Sequence, residues 1–193
     1  PVYFNTSYIN SRPTFLSETF IPGGVEDNSF IISHSMVMQA LPGQDVESGV
    51  LDYQITALGE GQYWRKGVTQ FSSVDLPIVL KPGESITWMP PANRNFDNKP
   101  GGAGNTVAFK VRLLDGNGAT SVVEKDVAVS IASVNDLPVY GTVLPLSPTV
   151  KNKTGGQLIT WQNLKDILQV TDVDNSSDDF QFRVEYVSSG TLR

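Results

Sequence analysis

Asp172 and Asp174 stand one residue apart in Asp172-Val-Asp-Asn175. That spacing fits a loop turning both carboxylates toward one ion better than a strand pointing both outward. Ca²⁺ suits such a place, because it takes six to eight oxygens in tolerant geometry, and carboxylates and carbonyls from several loops can supply them. The charge balance agrees: 20 acidic against 14 basic residues give a net charge of -6, without any Lys/Arg block. Cations are therefore better partners than nucleic acid or an anionic membrane surface. The absence of Cys removes disulfides, thiolate metal sites and Cys nucleophiles together. A secreted β protein of this size then needs another stiffening device, and bound Ca²⁺ is the candidate. The same acids also have a plain structural reading, since Asn, Asp and Gly are what turns prefer.

Other chemistries find little to work with. His34 is the only histidine, and its neighbours Ser33 and Ser35 do not converge like a catalytic triad, so it reads as a helix cap or surface residue. No phosphate-binding loop, dinucleotide glycine motif, His-rich metal set or paired glycosidase carboxylates is visible, and no enzyme activity is expected. Trp88, beside a Pro-Pro turn, reads as core, and Trp161 as cover for a module edge. Tyr63-Trp-Arg-Lys66 and the polar stretches Asn93 to Asn98 and Gly101 to Asn105 are where an exposed binding patch would be sought.

The elements that must position these residues are strands. Leu51 to Ile55, Ser85 to Trp88, Val107 to Leu113, Val127 to Ile131 and Phe180 to Tyr186 each alternate apolar with polar residues, as strands with one buried and one wet face do. The expected fold is all-β, a sandwich. Long helices are not expected. Short ones open at Ser33 and Thr160, both cap-type hydroxyls, and run to Leu41 and Leu168. No run of about 18 apolar residues is present to span a bilayer.

Those two helices belong to an internal repeat. Ile32-Ser33, Val37, Ala40-Leu41 and Asp45-Val-Glu47 fall in register with Ile159-Thr160, Leu164, Ile167-Leu168 and Asp172-Val-Asp174 without a gap. Upstream, Asn10-Ser-Arg-Pro13 matches Asn135-Asp-Leu-Pro138 at nearly the same offset. The expected organisation is an end strand and linker of a preceding copy at 1–10, a full module at 11–136, and the beginning of a truncated one at 137–193. Both chain ends read as cuts from a longer polypeptide. Half a sandwich exposes strand edges, so 137–193 is completed either by separate sequence or by pairing with another segment, such as 1–10.

Val25-Glu-Asp-Asn28, Asp45-Val-Glu47 with Leu51 to Ile55, Trp88-Met-Pro-Pro-Ala-Asn93, Phe109 to Gly118 and Val134-Asn-Asp-Leu-Pro138, in that order, carry a family likeness. The chain resembles the cadherin-like tandem repeats of large bacterial surface adhesins and repeats-in-toxin-type proteins. The resemblance implies antiparallel Greek-key (cadherin/Ig-like) sandwiches strung as tandem modules, with Ca²⁺ at each junction. It assigns the junction ligands to Glu26, Asp136, Asp172 and Asp174, with Asn135 adding an oxygen. At the opposite end it points to Asp45, Glu47 and Asp115, but Ser11 stands where the linker Asp belongs and Glu47 replaces the second Asp, so a weaker or lost site is expected there. The implied role is a calcium-stiffened extender or scaffold of an extracellular, cell-surface adhesin, with neighbouring repeats of the same polypeptide as partners. The alternative is a module that itself grips a peptide or glycan.

Overall fold

The computed structural model describes residues 9–94, 103–145, 158–176 and 179–186, in two compact units, one up to Val134 and one from Asn135 on. The first unit begins with β1 (Thr14–Phe15), β2 (Ile21–Val25) and β3 (Phe30–Ser33), then α1 (His34–Ala40) and β4 (Gly43–Gln44). β5 (Asp52–Leu58), β6 (Tyr63–Lys66), β7 (Thr69–Phe71) and β8 (Ile78–Leu80) follow, then β9 (Ser85–Met89), β10 (Ala103–Leu114) and β11 (Lys125–Ala132). Two sheets result, ordered β2-β11-β10-β5-β8 and β3-β9-β6-β7, while β1 and β4 form a small third pair. The all-β expectation holds.

Both main sheets line one core. Ile32 of β3 and Ile86 and Trp88 of β9 cluster with Tyr53 and Ile55 of β5, Phe109, Val111 and Leu113 of β10, and Val127, Val129 and Ile131 of β11. The alternation read from the sequence is the burial pattern of these strands. The polar atoms of the core aromatics arrive partnered: the Tyr53 hydroxyl donates to Leu41 O at 2.8 Å, and burial pushes its pKa up to about 12. Trp88 Nε1 donates to Glu60 O, and Trp64 Nε1 to Ala108 O. Gly59 lies so close to β10 that a Cβ there would sit 2.0 Å from Val107 O, so only glycine fits.

One pairing departs from the antiparallel expectation: β2 runs parallel to β11. The chain crosses to the other sheet between β2 and β3, so β2 has no hairpin partner and instead lines the open edge of β11.

Both helices start where expected. Ser33 Oγ accepts from Met36 N at 3.2 Å, and Thr160 Oγ1 accepts from Asn163 N at 3.1 Å at the head of α2 (Trp161–Leu168) in the second unit. Asn163 Oδ1 returns the bond to Thr160 N, closing a capping box. The stretch Phe180 to Tyr186 is a correction. It alternates in sequence but forms no strand, because a strand needs a ladder and no described residue pairs with it. Of the expected end segment at 1–10, only Ile9 and Asn10 fall within the described residues. No helix among the described residues is long and apolar enough to cross a membrane.

Candidate functional site: two acidic linker clasps

At the start of the first unit, β1 lies against β4 with Thr14 opposite Gln44, and the chain just before β1 is held by acids that follow β4. Asp45 Oδ1 accepts from Glu47 N at 3.0 Å and Ser48 N at 2.8 Å, an Asx turn that presents the Glu47 side chain to the linker. Glu47 then takes both donors of Ser11: Oε2 from the backbone N–H at 3.2 Å and Oε1 from the hydroxyl at 3.0 Å. Asn10 Nδ2 donates to Asp115 Oδ2 at 2.9 Å, and Asn117 Nδ2 donates to Asn10 Oδ1 at 3.2 Å.

Asp115 opens the turn between β10 and β11, where its Oδ1 accepts from Asn117 N and Ala119 N and Gly118 takes φ 92. Burial works to raise its pKa, yet the bonds from Asn10 and from the amides of Ala119, Asn117 and Gly118 together hold it below the ordinary 3.8. The Asp-Gly-Asn-Gly stretch is thus both a hairpin turn and an anchor for Asn10, ahead of β1. Asp45 Oδ2 is buried and accepts no hydrogen bond among the described residues.

The second unit repeats this wiring. Val139 bridges Thr171 as Thr14 pairs with Gln44. Gly141 N donates to Gln169 O as Leu16 N does to Pro42 O, and Leu144 N to Ile167 O as Thr19 N does to Ala40 O. Asp172 Oδ1 accepts from Asp174 N at 2.8 Å and Asn175 N at 2.9 Å, the same Asx turn as at Asp45. Asp174 Oδ2 then accepts from Asp136 N, as Glu47 accepts from Ser11 N. Asp174 is fully buried. The Asn135 amide folds back on Asp136 O at 2.8 Å.

Glu26 sits just beyond β2 in the first unit. It too is fully buried, its N–H donates to Ala132 O, and its Oε1 accepts from Val134 N at 2.6 Å. Val134 and Asp136 are therefore each fixed by a buried acid of their own unit.

Of the expected ligands, the structure brings Asp136, Asp172 and Asp174 together by hydrogen bonds in the second unit, and Asp45 and Glu47 in the first, where Asp115 anchors the neighbouring Asn10. Glu26 belongs to the first unit and Asn135 to the second. Among the described residues no three His, Asp or Glu side chains form a group that could hold a metal ion. The sequence reading missed Asn10 and Asn117, and it read Ser11 only as a lost ligand. The match of Asn10-Ser11 to Asn135-Asp136 was the signal that could have found them.

The expected exposed patches fare differently. Trp64 Nε1 reaches Ala108 O and Lys66 is tied to Val79 O and Glu84, while Arg65 is exposed and lies over the half-buried Tyr63 ring at 5.4 Å; β6 is an inner strand whose outer face carries these two side chains. Much of the polar loop at 93–105 lies outside the described residues, but Asn93 N donates to Asp27 Oδ1, Arg94 pairs with Glu60, and Ala103 to Asn105 belong to β10. His34 is neither a cap nor on the surface. Ser33 is the cap, and the His34 ring is buried between the Leu51 carbonyl, 2.9 Å from Nε2, and the edge of Tyr53.

No protein-family model, curated protein or solved structure matches the chain.

Proposed function

We propose that this chain is a tandem-module extender of a cell-surface adhesin, in which Greek-key sandwich units follow one another and Ca²⁺ stiffens the linker at Asp136. One observation carries the reading: Asp136, in the linker, is bonded through its N–H to Asp174, whose own N–H is held by Asp172. The Asx turn and the linker contact thus gather three acids. Carboxylates gathered on one loop and its linker are oxygen donors of the kind a hard cation such as Ca²⁺ takes.

The ion in this reading binds the Asp136, Asp172 and Asp174 oxygens, with carbonyls, Asn135 and water filling a shell of six to eight. In this reading the affinity is that of extracellular calcium modules, with Kd on the order of 10⁻⁴ to 10⁻³ M. Ordering Asp136 on its own unit shortens the free part of the linker, which suits an extender that presents more distant binding domains. Extracellular placement, the absence of catalysis and the role of neighbouring repeats as partners belong to the same proposal.

The test is a calcium titration followed by thermal unfolding. Calcium at about ten times Kd adds about 1.4 kcal/mol by mass action, which raises Tm by several degrees. An unchanged Tm over that range, with no change in the scattering profile, rejects the proposal.

A further inference from the structure

We infer that the Asn10-Ser11 end of the first unit is a cation-independent clasp, in which hydrogen-bond donors do the work that an ion does at Asp136. The backbone frame of the two ends is the same, from the strand contact (Thr14 with Gln44, Val139 with Thr171) to the Asx turn (Asp45, Asp172) and the linker N–H seated on the following acid. The side chain on the linker is what differs.

Ser11 brings a hydroxyl, and a hydroxyl can donate. Its Oγ–H takes the Glu47 oxygen that its N–H leaves, so both oxygens of that carboxylate are occupied. Glu47 is one methylene longer than the Asp174 it matches, which lets one carboxylate reach both donors of a single residue. Beside it, the Asn10 side chain gives its amide hydrogen to Asp115 and its oxygen to Asn117. Two linker residues therefore donate to two of the three carboxylates at this end, Glu47 and Asp115, while Asp45 holds the turn through Oδ1. Bonds to a charged acceptor are the stronger class, which suits a fixed joint.

An array built on this plan contains two kinds of joint: one held by side-chain donors at any calcium level, the other stiffened further when calcium is present. The clasp stands on its own contacts, and only the contrast with Asp136 rests on the calcium reading above.

Hydrogen exchange of the whole chain, read residue by residue by NMR in excess chelator and in excess CaCl₂, tests this. The Ser11 amide should be protected equally in both conditions. Glu47→Ala should speed its exchange on the order of ten-fold, the worth of a hydrogen bond to a charged acceptor, and Ser11→Ala, which removes only the hydroxyl, by less. The double variant S11D/E47D, which writes the Asp136 and Asp174 chemistry into the first unit, should make that protection calcium-dependent. A Ser11 amide that exchanges freely in the wild type, or whose protection tracks calcium, overturns the clasp. Steady protection at Ser11 with no calcium response at Asp136 supports the clasp and rejects the calcium reading of the second unit.

Discussion

The two units open with the same wiring and then surround it differently. Ile32, on β3 just ahead of the Ser33 cap, is fully buried, whereas its match Ile159, just ahead of the Thr160 cap, is 47% exposed. Val37 and Leu41 are buried, while their matches Leu164 and Leu168 are only partly covered. The first unit closes its helix and strands under β9, β10 and β11, and the described part of the second has no such lid. Strand contact, helix cap and Asx turn nevertheless persist in both. The cap and the Asx turn are local devices, each satisfied within a few residues, and the strand contact that joins them needs only a short bridge, so all three form whether or not a full core sits on them.

The largest effect that separates the units is in that core. Ile32→Ala should cost about 2–5 kcal/mol, the range for a truncated buried aliphatic, whereas Ile159→Ala should cost under about 1 kcal/mol. Chemical denaturation of the two variants checks this, and equal losses would mean that the second unit is as well covered as the first.

Next comes the linker charge. Asp136→Ala should abolish the calcium-induced rise in Tm, about 1.4 kcal/mol at ten times Kd, while Ser11→Ala leaves that rise intact. Differential scanning calorimetry with and without calcium reads both. Loss of the rise in S11A as well would place the ion at the wrong end.

The smallest effect is in acid. The folded-state pKa of Asp115 lies below the 3.8 of the free side chain, so its bonds to Asn10 and the turn amides stabilise the first unit fully above that value and are lost as pH falls through the folded pKa. Asp115→Asn should flatten this limb of the stability curve below about pH 3.8, followed by tryptophan fluorescence between pH 5 and about pH 2. A wild-type curve that is flat there would remove Asp115 from the clasp.

Much of this was legible in the sequence, for physical reasons. The helix caps at Ser33 and Thr160 and the alternation of β5, β9, β10 and β11 depend on residue type at fixed spacing, so they could be read directly. The repeat showed the equivalence of Asp45 and Asp172 for the same reason. What could not be read depended on partners distant in the chain. Phe180 to Tyr186 has the strand pattern but no ladder, β2 pairs in parallel because of where the chain crosses between sheets, and Trp64 turns inward to reach the Ala108 carbonyl. Ser11 was read only in part. Counted as a missing carboxylate it implies a weaker or lost cation site, and counted as a donor beside Glu47 it also completes a clasp.

The central claim is that one backbone frame carries two chemistries, and residue-resolved NMR during a calcium titration tests it most directly. The account predicts shifts at Asp136, Asp172 and Asp174 that saturate at millimolar calcium, with Ser11, Asp45 and Glu47 unmoved. Equal shifts at both sets, or movement at Ser11 and Glu47 alone, would contradict it.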